Sequence, residues 1–201
     1  MINIAVMVSG GGTNLQALIN AEKDGKIPHG KISLVIASND KAYALQRAHN
    51  ACIETEVIRH KDYVDQDAFD QKIVDVLHAH SIDMVILAGY LSILGPGVIH
   101  AYEDRILNIH PSLIPSFCGK GYYGLKVHEA ALARGVKVTG ATVHLVNEIP
   151  DGGRILKQKA VNVEEGDTPE ILQKRVMEQA EWILLPEAAA ELSEQLDKEN
   201  A

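Results

Sequence analysis

Apolar runs of strand length alternate with segments of helical period through the first half of the chain. Residues 2–8 predict a buried strand that runs into the turn Gly10, Gly11, Gly12, and a helix begins near Asn14. Residues 32–37 predict a second strand and 42–49 a second helix; 56–58 form a short third strand, followed by a helix over 67–80. Residues 84–88 are continuously apolar, as in a strand covered on both faces. Residues 106–109 repeat that pattern and end at a polar loop. The rhythm predicts an α/β fold with a doubly wound, mostly parallel sheet.

The second half changes period. Residues 137–146 alternate as an exposed antiparallel strand would, Asp151, Gly152 and Gly153 turn the chain, and 155–163 return as its partner. From Pro169 a long C-terminal helix with acidic and apolar faces is expected, broken or kinked at Pro186 and fraying over the last five residues. With no repeat, low-complexity tract or linker, a single domain over residues 1–201 is expected.

Composition narrows the function classes. At 201 residues, 46% hydrophobic and 23% charged, the chain has globular proportions. Nineteen Lys and Arg against 27 Asp and Glu give a net charge of −8, which offers nucleic acid or an anionic membrane no general attraction. Cys52 and Cys118 match neither a redox pair nor a zinc set, so unpaired, buried cysteines in a reducing compartment are expected. The first residues lack a basic leader and a cleavage pattern, and no apolar run reaches the ~18 residues of a membrane helix. A cytoplasmic protein with small-molecule substrates, without membrane or nucleic-acid partners, is the expectation.

Three constellations carry chemistry. Ser9 to Asn14, between a buried strand and a helix, can turn backbone N–H groups toward an anion such as phosphate. It is neither a P-loop, since no Gly-Lys-Ser/Thr follows, nor a good dinucleotide fingerprint, since Leu15 stands at the third glycine. A structural turn with Thr13 or Asn14 as helix cap is the competing reading. Asn108 and His110 follow a buried strand and alternate to one side, where an amide and an imidazole can stabilise an oxyanion and move a proton. The competing reading is a histidine bonded to its own loop. Asp151 before two glycines is either a plain turn or a carboxylate that orients a histidine. His128 and Glu129 lack the second zincin histidine, since Leu132 stands there, and His78 and His80 point to different faces. His60 and His100 are expected at the surface, and His144 in a core or cross-strand role. No metal set emerges.

Five stretches together resemble the phosphoribosylglycinamide formyltransferases, folate-dependent enzymes of purine synthesis: residues 3–19, 83–94, 105–117, 135–146 and 151–156. The run NIHPSLIP is the most specific of them. The resemblance implies a Rossmann-like formyltransferase fold, with a phosphate- and nucleotide-binding half over 1–104 and a catalytic and folate-binding half over 105–201. It implies transfer of the formyl group of 10-formyltetrahydrofolate to the amine of 5'-phosphoribosylglycinamide, without metal, by a monomer or homodimer. Asn108, His110 and Asp151 would be catalytic, with His144 supporting. Gly12, Thr13 and Asn14 would cradle the phosphate. A carboxylate of the last helix would hold the substrate's amine end; Glu178 and Glu181 both suit, and the spacing to Pro186 suggests a one-residue insertion that favours Glu181. Leu91, Ser92, Ile93, Leu94, Val146 and Asn147, with Asn108, would line the folate pocket. Family members often carry arginine where this chain has Ser92 and near Gln66, which leaves contacts to the folate tail open. The rivals are a 10-formyltetrahydrofolate hydrolase, whose relatives carry an extra N-terminal domain, and a non-catalytic folate- or nucleotide-binding module. The tRNA formyltransferases are longer and carry a C-terminal nucleic-acid-binding domain, which is not expected here.

Overall fold

The computed structural model describes residues 1–200, in which seven strands form one sheet in the order β3-β2-β1-β4-β5-β6-β7. The strands are β1 (Ile2–Val8), β2 (Gly30–Ala37), β3 (Glu54–Val57), β4 (Met84–Leu87), β5 (Ile106–His110), β6 (Val138–Leu145) and β7 (Ile155–Asn162). The first five run parallel; β6 and β7 are antiparallel to their neighbours. The helices are α1 (Thr13–Lys23), α2 (Ala44–Asn50), α3 (Gln66–Ala79), α4 (Pro96–Ala101), α5 (Leu125–Arg134), α6 (Pro169–Val176) and α7 (Trp182–Glu199).

The apolar runs form the buried strands because helices cover both faces of the sheet. One core cluster joins β1, β2, β5 and β6 to α1, α2, α6 and α7; the other sets α3 and α4 against the opposite face, around the fully buried Phe69. Each buried Leu, Ile or Val of these strands contributes about 1.5–3 kcal/mol through removal from water.

Four sequence expectations change. Strand β6 alternates yet is buried on both faces except at Val138, because Ala141, Val143 and Leu145 enter the core while Thr142 and His144 lie under the polar loops after β5 and β6. Pro186 does not break the last helix. It is the fifth residue of α7, just after a π turn at Met177–Glu181, and deprives only the Trp182 carbonyl of a backbone donor. Helix α7 continues to Glu199, with Asp197 taking both the Met1 amine and, at 2.8 Å, His29, while Ala201, the last residue expected to fray, lies outside the described residues. Cys52 is exposed on a left-handed turn after α2 rather than buried, and Cys118 is half-buried. Helices α4 and α5 were outside the predicted elements.

Strand order reverses between β1 and β4, and the carboxyl ends of β1, β4 and β5 therefore flank a crevice suited to ligands.

Candidate functional site

Register brings the polar residues together. β5 pairs antiparallel with β6 so that Asn108 faces His144 and His110 faces Thr142. Alternation places Asn108 and His110 on one side, while Ile109 enters the core. Asp151 arrives from the β6–β7 connection, itself in the left-handed conformation (φ 56°). That connection is tight: a Cβ at Gly153 would run into the Leu145 carbonyl, so only glycine lets the chain return there.

The Asp151 carboxylate sits between two imidazoles. Its Oδ2 lies 3.6 Å from His110 Nδ1, and its Oδ1 lies 3.5 Å from His144 Nε2 and 3.4 Å from Asn108 Nδ2. The Gly119 N–H donates to Oδ2 at 2.8 Å. Burial works to raise the Asp151 pKa, but His144, the charge of His110 and the Gly119 N–H outweigh it and hold the carboxyl below its ordinary value. His144 donates from Nδ1 to the Leu145 carbonyl at 2.8 Å, and its Nε2 lies 3.1 Å from Asn108 Nδ2 and 3.5 Å from Asp151 Oδ1. His110 donates from Nε2 to the Phe117 carbonyl at 2.8 Å while Nδ1 faces Asp151. Both of its nitrogens thus face oxygen acceptors, the arrangement an imidazolium satisfies. Behind His110, fully buried His128 finds no partner for either nitrogen among the described residues, and burial, then the charge of His110, push its pKa down to about 4.

The glycine turn is built for close approach. Gly12 precedes α1 at φ 71°, where a side chain would meet Ala44 at 2.6 Å. Neither Thr13 nor Asn14 caps the helix, which corrects the capping alternative. The first bonded amide is that of Gln16, to the Gly12 carbonyl, so the N–H groups before it are unmatched within the helix. Arg47 braces the turn through the Gly11 carbonyl at 2.8 Å and Gln16 at 3.0 Å.

Thr13 and Asn14 turn toward the π turn instead: Thr13 Oγ1 meets Met177 Sδ at 3.6 Å, and Asn14 Nδ2 donates to Glu181 Oε2 at 2.7 Å. A π turn holds one residue more than an α turn, which is where an inserted residue fits. Glu181 is 6% exposed, and burial pushes its pKa up to about 7 against the pull of Asn14. Glu178 is exposed and pairs with Lys174 at 3.8 Å, so of the two candidates only Glu181 reaches the glycine turn.

Residues 91–94 follow β4, whose Leu87 pairs with Asn108. Leu91 and Ile93 are 61% and 73% exposed, Ser92 is half-buried, and Leu94 enters the core, where Val146 and Tyr90 pack against its cluster. Asn147 is exposed and accepts the Ile149 N–H at 3.0 Å. A groove of about 810 Å³ between α1 and α7 touches this region only at Thr13, Gln16 and Arg47 and does not reach Asn108, so the chemistry is located by side chains rather than by concavity. Among the described residues no cluster of three His, Cys, Asp or Glu is placed to hold a metal ion, and no helix is long and apolar enough to cross a membrane.

Sequence reasoning missed Arg47, the Phe117 carbonyl and the Gly119 N–H. The last two act through backbone atoms, which carry no side-chain signal; Arg47 lies 35 residues beyond Gly12 on another helix. His144, expected in a core or cross-strand role, pairs across the strands with Asn108 and so joins the cluster.

The profile of the family described as "Formyl transferase" matches residues 2–188. The chain is similar to the chloroplastic phosphoribosylglycinamide formyltransferase of Arabidopsis thaliana, at 41% identity over 87% of this chain and 60% of that protein. It is 41% identical to the phosphoribosylglycinamide formyltransferase of Haemophilus influenzae, over 89% of this chain and 82% of the relative. The crystal structure of glycinamide ribonucleotide transformylase 1 from Symbiobacterium toebii superposes with a TM-score of 0.91 at 41% identity, over 97% of this chain and 89% of the other. The chain thus spans less than two thirds of the plant relative. The profile covers most of the chain and relatives agree with it along most of its length, and the chain belongs to the formyl transferase family.

Proposed function

We propose that this chain transfers the formyl group of 10-formyltetrahydrofolate to the amine of 5'-phosphoribosylglycinamide, as a cytoplasmic enzyme of purine synthesis. The observation that carries the reading is the convergence of Asn108, His110 and Asp151, with His144, at the carboxyl end of β5.

In this mechanism the substrate amine attacks the formyl carbon, and the carbonyl oxygen takes up negative charge. An Asn108 N–H turns from His144 or Asp151 to that oxygen, and His110, held between Phe117 and Asp151, stabilises the same charge. Asp151 accepts the proton the amine gives up, through a water, and that proton passes on to the folate N10, which leaves as the carbonyl reforms. The acceptor's phosphate lies on the N–H groups of Gly12, Thr13 and Asn14, and Glu181 holds the amine-bearing end. The donor's pterin lies against Leu91, Ser92, Ile93, Leu94, Val146 and Asn147.

A spectrophotometric assay of tetrahydrofolate formation, run with and without phosphoribosylglycinamide, tests the reaction. Formation that depends on the acceptor supports transfer; the same rate without it makes the chain a hydrolase; no turnover with folate bound makes it a binding module.

A further inference from the structure

Asp70 is 2% exposed on α3, and among the described residues no cation lies within ion-pair distance of it. Burying a carboxyl so deeply is costly unless hydrogen bonds compensate. Here three do, and they converge on one segment. The Gly95 N–H donates to Oδ1 at 3.0 Å, the Gly97 N–H to Oδ2 at 3.1 Å, and Gln66 Nε2 to Oδ1 at 2.7 Å. Gln66 also donates to the Ile93 carbonyl at 3.2 Å. A methyl on Gly95 would collide with the Asp70 carboxylate, so this close approach depends on the missing side chain. At the other end of the segment, the Leu91 N–H donates to Ser9 Oγ at 2.8 Å.

Residues 91–97 are therefore hung from outside at both ends and in the middle. The result holds Leu91 and Ile93 with their apolar side chains in solvent, a conformation that apolar burial alone would not select. A fixed, solvent-facing apolar wall one strand from Asn108 is pre-organised for a ligand, since the ordering cost is met before binding.

We propose that Asp70 is a positioning residue for the formyl donor: its buried carboxylate, bridged by Gln66, fixes the backbone of residues 91–97 and so sets the affinity of the pocket for the folate. The inference rests on the donor pocket assigned above. It predicts a loss confined to one substrate, whereas general loosening of the fold would weaken both.

The test is calorimetric titration of the whole chain with tetrahydrofolate and, separately, with phosphoribosylglycinamide, for wild type and Asp70→Asn. Asparagine keeps one acceptor but sets an NH2 against one of the two backbone donors. The expected result is tetrahydrofolate binding weakened about tenfold, the equivalent of one such hydrogen bond, with the acceptor's Kd within about twofold. Amide exchange at Gly95 and Gly97 should quicken in the same variant. Unchanged tetrahydrofolate affinity, or equal loss for both substrates, would overturn the inference. Should Asp70→Asn not fold, Gln66→Ala, which removes the Ile93 bond and leaves the two backbone donors on Asp70, decides in the same way. Wild-type protein that binds no tetrahydrofolate would overturn the functional reading itself, a result distinct from failure in the variants alone.

Discussion

Glu181→Gln removes a titration from the most buried carboxyl near the glycine turn. In the folded chain its pKa is raised from 4.5 to about 7, chiefly by burial, with Asn14 pulling the other way. The difference, 7 − 4.5 or about 2.5 pH units, corresponds to about 3 kcal/mol. The carboxyl prefers its proton when folded, so its favourable contribution is complete below about pH 4.5 and is lost as pH rises through about 7. At pH 8 the wild-type chain carries a poorly solvated charge there, which glutamine does not. Glutamine can also donate to the buried Asn14 Oδ1, which has no partner among the described residues. The expected outcome is a variant close to wild type in stability at pH 5 and about 3 kcal/mol more stable at pH 8, measured by urea unfolding. Subtracting wild type from variant at each pH cancels the other titrating groups. A difference that stays constant to within about 0.5 kcal/mol between the two pH values would refute the reasoning. Under the proposed function, the same variant binds phosphoribosylglycinamide more weakly, which explains why the destabilising carboxylate is present.

Gly153→Ala should destabilise the fold by roughly 3 kcal/mol, because the added methyl meets the Leu145 carbonyl; a denaturation midpoint at the wild-type value would contradict the tight β6–β7 return. His128 remains neutral when folded, so its contribution is full above its ordinary pKa of 6.5 and is lost as pH falls through about 4. His128→Gln should therefore flatten the acid limb of the stability profile, and an NMR titration of wild type should show this ring protonating near pH 4. Asp151→Asn should leave folding intact while removing the proton acceptor, with kcat down about 10²-fold or more and little change in KM; a change in KM alone would contradict the assignment.

Much of the fold can be read from residue pattern because buried parallel strands are continuous apolar runs, as in residues 2–8 and 84–87, and because glycine turns punctuate them. Where the pattern misled, tertiary context decided. Strand β6 alternates like a surface strand, but Thr142 is buried where it donates to the Ser112 carbonyl of the loop after β5, and His144 where it meets Asn108 of β5 and Asp151. Helix α4 has six residues, too few for a helical period, and begins at Pro96 on a turn held by Asp70. In the site, the common side of Asn108 and His110 follows from alternation alone. Asp151 does not, because its place depends on antiparallel pairing and a hairpin return 41 residues beyond His110. The π turn left a trace in the spacing to Pro186, whereas Arg47 and the loop carbonyl of Phe117 left none.

Under the proposed function, Asn108, His110 and Asp151 act together on one carbonyl carbon. The turnover of His110→Ala with saturating donor and acceptor tests it most directly, alongside an unfolding curve that shows the variant is folded. A fall in kcat on the order of 10²–10³ with the fold retained is expected. Turnover near that of the wild-type enzyme would contradict it.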